Sequence, residues 1–248
     1  MNFFLTLCFL FALGSSFGWI LELFFRRLFT AKKWINPGFL VGPCLPLYGF
    51  GLCTLYLLSS IKFSFLENGV LQAVFRILII GLALTAIEYV AGKIFILGMK
   101  VKLWDYSGRK GNLEGIICPL FSLFWTVLGG LYSLLLHPPI TRLVEGFLTH
   151  PFVFFFLGIF FGILLVDFFY SARLLAKIRA FAKENHLVVR LEELKSNLQE
   201  KIETNKFFHF VFALHGTHPI RENLKEYAER LSEKAKSIVN RKSKHEKG

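Results

Sequence analysis

Long runs in which nearly every position is apolar alternate along this chain with short connections rich in glycine, proline and charge. Five runs, near residues 3–25, 39–61, 70–98, 116–136 and 147–171, each supply about the 20 helical residues needed to cross a hydrocarbon core of roughly 30 Å. A backbone inside lipid has no water to bond, so each run predicts a helix, or a broken helix buried among others. Period-two alternation, which would mark a barrel, is absent. The first run lacks a basic leader and a small-residue cleavage site, and reads as a retained span. From Ala172 the pattern changes. Leu187, Leu191, Leu194, Leu198 and Ile202 form one helical stripe, and Ile220, Leu224, Tyr227, Leu231, Ala235 and Ile238 form a second. Between them HGTHP breaks the chain, with Gly216 suited to end a helix and Pro219 to begin one. The segment FFHFVFALH, residues 207–215, is too short to span and suits an interface. The expected fold is all-α, a polytopic membrane bundle of about five transmembrane helices over 1–171, followed by a basic helical hairpin over 172–248.

Composition strengthens the membrane assignment, since 30 of 248 residues are Phe and 54% are hydrophobic, well outside soluble domains. Charge then orients the bundle. Arg26, Arg27, Lys32 and Lys33 follow the first run, Lys100, Lys102, Arg109 and Lys110 the third, and Arg173, Lys177, Arg179 and Lys183 the fifth, whereas the alternate loops hold only Lys62 and Arg142. Basic loops stay cytoplasmic, so the amino terminus is expected outside and the tail inside. Residues 1–171 carry 12 basic and 7 acidic side chains, and residues 172–248 carry 17 and 10, which together make +12. Beside a membrane such a surplus suits anionic lipid headgroups better than nucleic acid. Cys8, Cys44, Cys53 and Cys118 form no CxxC pair, and His209, His215 and His218 lack a metal-ligand spacing, so neither a disulfide framework, a metal site nor a cofactor is signalled.

Ionisable residues within spans need a reason, because each costs about 2.5 to 3.5 kcal/mol at a helix centre. Arg76 and Lys93 lie near span ends and can snorkel, Glu145 is marginal, and Glu22 has Arg26 four residues on. Glu88 has only Leu84, Thr85, Ala91 and Gly92 at those spacings, and Asp167 also lacks a local cation. Two loops lie on the same expected side as these acids. NPGFLVGPCLPLYGFG, residues 36–51, is too rich in proline and glycine for a regular helix, and LWDYSGRKGNLEG follows the third run. Broken backbone at membrane depth lines a wet cavity or is buried in protein. The expectation is a cytoplasm-facing polar pocket built from Glu22, Asn36, Tyr48, Glu88, Trp104, Asp105, Tyr106, Ser107, Asn112 and Glu114. A plainer alternative makes Trp104 and Tyr106 an interfacial belt and Asp105 with Ser107 a helix cap. Each loop follows a glutamate, holds a tryptophan and an asparagine, and leads through proline into the next run, which suggests a parallel repeat with a site at its interface. GSSFG at 14–18 and GIFFG at 158–162 read as close helix contacts.

GWILE, NPGFLVGPCLPLYGFG, EYVAG, LWDYSG and NLEGIICPLFSLFW, within roughly residues 10–135, resemble the signature blocks of the bacterial membrane proteins described as putative ABC transporter type IV. These are the CmpB-like permeases, to which the vertebrate TMEM229 proteins are also similar. The resemblance implies a permease of the bacterial inner membrane. No GxxxxGK(S/T) loop is present, so ATP hydrolysis would belong to a separate cytosolic ATPase subunit. The residues leave three functions open, with homo-oligomers compatible with each: a transport component binding a solute or lipid, an enzyme acting on lipid or isoprenoid at the inner leaflet, or a scaffold working through its tail. No recognisable catalytic motif speaks for the enzyme.

Overall fold

The computed structural model describes residues 3–30, 34–201, 224–230 and 232–233. Lys32, Lys33, the three tail histidines, the HGTHP break and most of the second tail stripe lie outside these residues. Helix α1, Phe3–Phe25, widens into a π-helical turn at Arg26–Thr30, and α2 spans Pro46–Ser60. Helix α3, Gly69–Lys93, widens likewise at Ile94–Met99. Helix α4, Pro119–Leu131, runs through a third π turn, Tyr132–Leu136, into α5, His137–Leu148. Helix α6 is Pro151–Glu184 and α7 is Leu191–Lys201. A two-residue parallel ladder, β1 (Val101–Lys102) against β2 (Val189–Arg190), pairs Val101 with Val189.

Among the described residues, four segments are long and apolar enough to cross a membrane: Phe3–Leu28, Gly69–Met99, Pro119–Leu148 and Pro151–Glu184. The second expected run yields only the 15 residues of α2, about 22 Å of helix. Residues 34–45 stay irregular because Pro37 and Pro43 cannot donate backbone hydrogen bonds and Gly38 sits at φ +75°. Helix α6, at 34 residues, continues unbroken past Ser171 and reaches about 51 Å, well beyond the hydrocarbon. Large apolar side chains on the outside of these helices, such as Leu82 at 72% and Val166 at 71% exposure, present a surface that only lipid would solvate.

The bundle is built from two tight helical hairpins, α1 with α2 and α3 with α4. In the first, a Cβ on Gly14 would lie 2.8 Å from both Leu52 Cβ and the Tyr48 carbonyl oxygen, and one on Gly18 would strike the Tyr48 ring. Gly49 answers from α2, close against Ser15 and Phe11. In the second, Gly81 abuts Thr126 and Gly129 abuts Ile80. Small residues replace the hydrophobic drive that lipid removes, because they let the helices approach to van der Waals contact. Each hairpin enters its second helix through proline at the first turn, Pro46 after extended Leu45 and Pro119 after extended Cys118. The repeat expected from the loops is thus matched by a repeated order of helix, π turn, irregular loop and proline-led helix. The GSSFG glycines make the close contact expected of them. Gly158 and Gly162 do not, since nothing lies within 4 Å of a Cβ built on either.

Gly14→Val and Gly81→Val are each expected to lower stability by about 1 to 3 kcal/mol, since the packed neighbour is backbone or a branched side chain. Thermal unfolding in mild detergent would show this, with Gly158→Ala unchanged.

Candidate functional site

The ends of the two hairpins that carry the long loops close around a cavity of about 580 Å³. Glu22 and Glu88 come from the carboxyl-terminal parts of α1 and α3, and Tyr48 and Trp125 from the opening turns of α2 and α4. Phe161, Leu164, Leu165 and Phe168 of α6 close one wall, and Phe39, Phe95, Met99 and Leu103 lie toward the tail.

Each carboxylate takes two donors, at least one of them aromatic. Glu22 accepts from Arg26 Nε at 2.8 Å and from the Tyr48 hydroxyl at 2.6 Å. Glu88 accepts from the Tyr106 hydroxyl and from Trp125 Nε1, both at 3.0 Å. Tyr48 and Trp125 meet edge to face with centroids 5.9 Å apart, so the two groups touch through their rings. Burial, and next the Glu88 carboxylate beside it, holds the Tyr106 phenol well above its ordinary range, so it remains a donor. Its ring is stacked on Phe121 at 4.4 Å, which fixes its aim.

The other expected site residues brace the loops. Asn36 accepts from Trp19 Nε1 at 2.7 Å and donates to the Val41 carbonyl at 2.7 Å, tying the irregular segment to α1. Asp105 accepts from the backbone and hydroxyl of Ser107, from Lys102 at 3.2 Å and from Arg190 at 2.7 Å. Burial pushes its carboxyl up, but the Ser107 and Lys102 hydrogen bonds outweigh this and leave it below the usual value. Asn112 donates to the carbonyls of Ser107 and Arg109 and accepts from Gly115 N, which closes the turn. Glu114 pairs with Lys93 at 2.6 Å on the surface. Trp104 lines the cavity while donating to the Ile116 carbonyl at 2.8 Å. Of the ten expected residues, Glu22, Tyr48, Glu88, Trp104 and Tyr106 line one cavity, whereas Asn36, Asp105, Ser107, Asn112 and Glu114 do not line it and hold the loops instead.

Asp167 acts as a clamp on broken backbone. Its two oxygens accept from Val41 N at 3.0 Å and Gly42 N at 2.9 Å, and Ser171 donates to it at 3.0 Å. The tail docks on the same loops. Arg190 reaches Asp105, Glu192 reaches Arg26 at 2.9 Å, and Lys195 Nζ donates to the Asn36 and Gly38 carbonyls at 3.0 and 2.9 Å. Beneath them Leu175, Ile178, Leu194, Leu224 and Tyr227 form an apolar core continuous with the floor of the cavity. Sequence reasoning missed Trp125, whose only signal was an indole N–H needing a partner in an apolar run, and the three tail residues, which carry none beyond charge.

All of both hairpins but the first turn and a half of α1, and every cavity-lining residue but Leu175, fall within a stretch that a known family shares. The chain belongs to the family described as putative ABC-transporter type IV, matched over residues 9–172. It is a multi-pass membrane protein. The matched stretch takes in α5 and the first two-thirds of α6, further than the signature blocks reach, and stops before α7. No curated protein and no solved structure matches the chain. Within this ABC-transporter-type membrane protein the docked tail therefore adds contacts from beyond the family's matched stretch.

Asp167→Ala would leave Gly42 N without its acceptor and Val41 N with Ser171 Oγ alone, and is expected to cost about 2 kcal/mol, read as a lower unfolding temperature than that of Asp167→Asn. Lys195 supplies a pH dependence. Burial, then Arg26, pull it down to about 7, against Asp167 and Glu192, from an ordinary value of 10.5. Between those values the undocked tail binds more protons, so docking strengthens as pH rises through that window and is weakest below it. Amide exchange over α7, corrected for intrinsic rate, should slow between about pH 6.5 and about pH 9, and Lys195→Met should remove the change.

Proposed function

We propose that this chain is a permease component that binds an amphipathic solute or lipid in the cavity between its two hairpins. The observation that carries this is a mostly apolar chamber with carboxylates, phenols and indoles gathered in one place, shaped for a molecule with a polar head and an apolar chain. Phe50, Leu165 and Phe168 line the chamber yet are 58%, 57% and 48% exposed on the lipid-facing surface, which favours access from the bilayer.

At the far end of the bundle, Ser59, Tyr132, Ser133 and His137 hold buried polar atoms without a hydrogen-bond partner among the described residues. Such groups ordinarily bind water. Polar groups at both ends support passage across the bundle more than anchoring alone. Glu22 and Glu88 meet donors, with no nucleophile beside them among the cavity-lining residues, which favours binding over catalysis. Lysine and arginine placement supports an external amino terminus and a cytoplasmic tail over 172–248; the family's description supports a bacterial inner-membrane setting with a separate ATPase as energy source.

Mass spectrometry of the protein extracted in mild detergent is expected to find an amphiphile enriched with it. Leu164→Trp, which fills the chamber, should remove that molecule while leaving the unfolding temperature within about 1 °C. A folded wild type that retains nothing would refute the binding role.

A further inference from the structure

Charge and ring placement inside the cavity bear on the head of the ligand, an inference that rests on the amphiphile proposal above. Of the two lining carboxylates, Glu22 is neutralised by Arg26 at 2.8 Å, and Arg26 is itself shared with Glu192 at 2.9 Å. Glu88 is 5% exposed and meets only neutral donors, with no lysine, arginine or histidine in ion-pair contact among the described residues. The lining therefore holds two acids and one base, and the surplus acid is the more deeply buried.

The faces of aromatic rings are electron-rich and attract cations most strongly where water is excluded. Trp125 and Tyr106 bond Glu88, Tyr48 meets the Trp125 ring at a wide angle, and Trp104 lines the same cavity. A head with net negative charge, such as a sulfate or a phosphate that carries no ammonium, would meet the opposite environment, because the lining cation Arg26 is already held by two carboxylates.

We propose that the cavity takes an amphiphile whose head bears an ammonium group, seated between Glu88 and the faces of Tyr48 and Trp125. Its chain would lie along α6 past Leu164 and Phe168. The same chemistry occurs in ethanolamine or choline phospholipids and in free long-chain amines.

The test uses the full chain in nanodiscs of phosphatidylglycerol, with decyltrimethylammonium, decyl sulfate and decyl glucoside as probes of one chain length, followed by tryptophan fluorescence. The ammonium probe should bind at least about tenfold tighter than the other two. Glu88→Gln should shrink that advantage to about threefold or less while leaving decyl glucoside unchanged. Should Glu88→Gln fail to fold, Trp125→Leu keeps the carboxylate, removes a ring face and should narrow the gap likewise. Native mass spectrometry of protein taken from cells separates the sources, a retained ethanolamine or choline lipid from a free amine, and retention of an anionic lipid instead would overturn the ammonium assignment. Equal binding of all three probes would overturn it while sparing the chamber. Binding of none would overturn both.

Discussion

A carboxylate or an open peptide group inside hydrocarbon must find its partners within the protein, because lipid offers none. The loop end of this bundle follows from that constraint. Glu22 and Glu88 draw donors from neighbouring helices, and Asp167 and Asn36 satisfy peptide groups that proline and glycine keep out of a helix. The helices approach closely enough for these bonds because glycines take their contact positions. Polar chemistry and tight packing are thus two sides of one arrangement. Loosening the glycine contacts would leave the carboxylates short of their donors.

The two hairpins use related means toward different ends. In the first, the carboxylate is paired with an arginine and the loop is clamped from α6 and α7. In the second, the carboxylate has only neutral partners, and the loop closes through Asp105 and Asn112 and takes the tail through Arg190 and the β1–β2 ladder. Where they face each other, an uncompensated acid sits among aromatic rings. An asymmetry of this kind across a repeat suits the binding role proposed for the cavity, since one half holds shape and the other offers charge.

The tail links the site to whatever lies beyond the membrane. Its contacts fall on the same loops that line the chamber, so a change in docking would be felt at Arg26, and through it at Glu22. Among the described residues Lys195 has no carboxylate in ion-pair contact, and it donates to two carbonyls that a helix would otherwise have occupied. Its amine therefore meets the carbonyl side of the same broken backbone that Asp167 holds through the N–H groups.

Much of this was legible in the residues. Apolar runs set the helical bundle because lipid leaves the backbone few alternatives, and proline and glycine density marked where helices would break. Glu88 stood out because its own helix offered no partner at three or four positions. Tertiary structure decided the rest. Local spacing cannot show that Tyr106 reaches back to Glu88 across 18 residues, that Trp125 does so across 37, or that Lys195 returns to Asn36 across 159. It also could not separate residues that line a chamber from those that brace its rim, as Asp105 and Tyr106 are neighbours in the chain. One holds its own turn and the tail's Arg190, and the other points at a carboxylate. That difference comes from the direction of the folded backbone, which sequence periodicity does not carry in a loop.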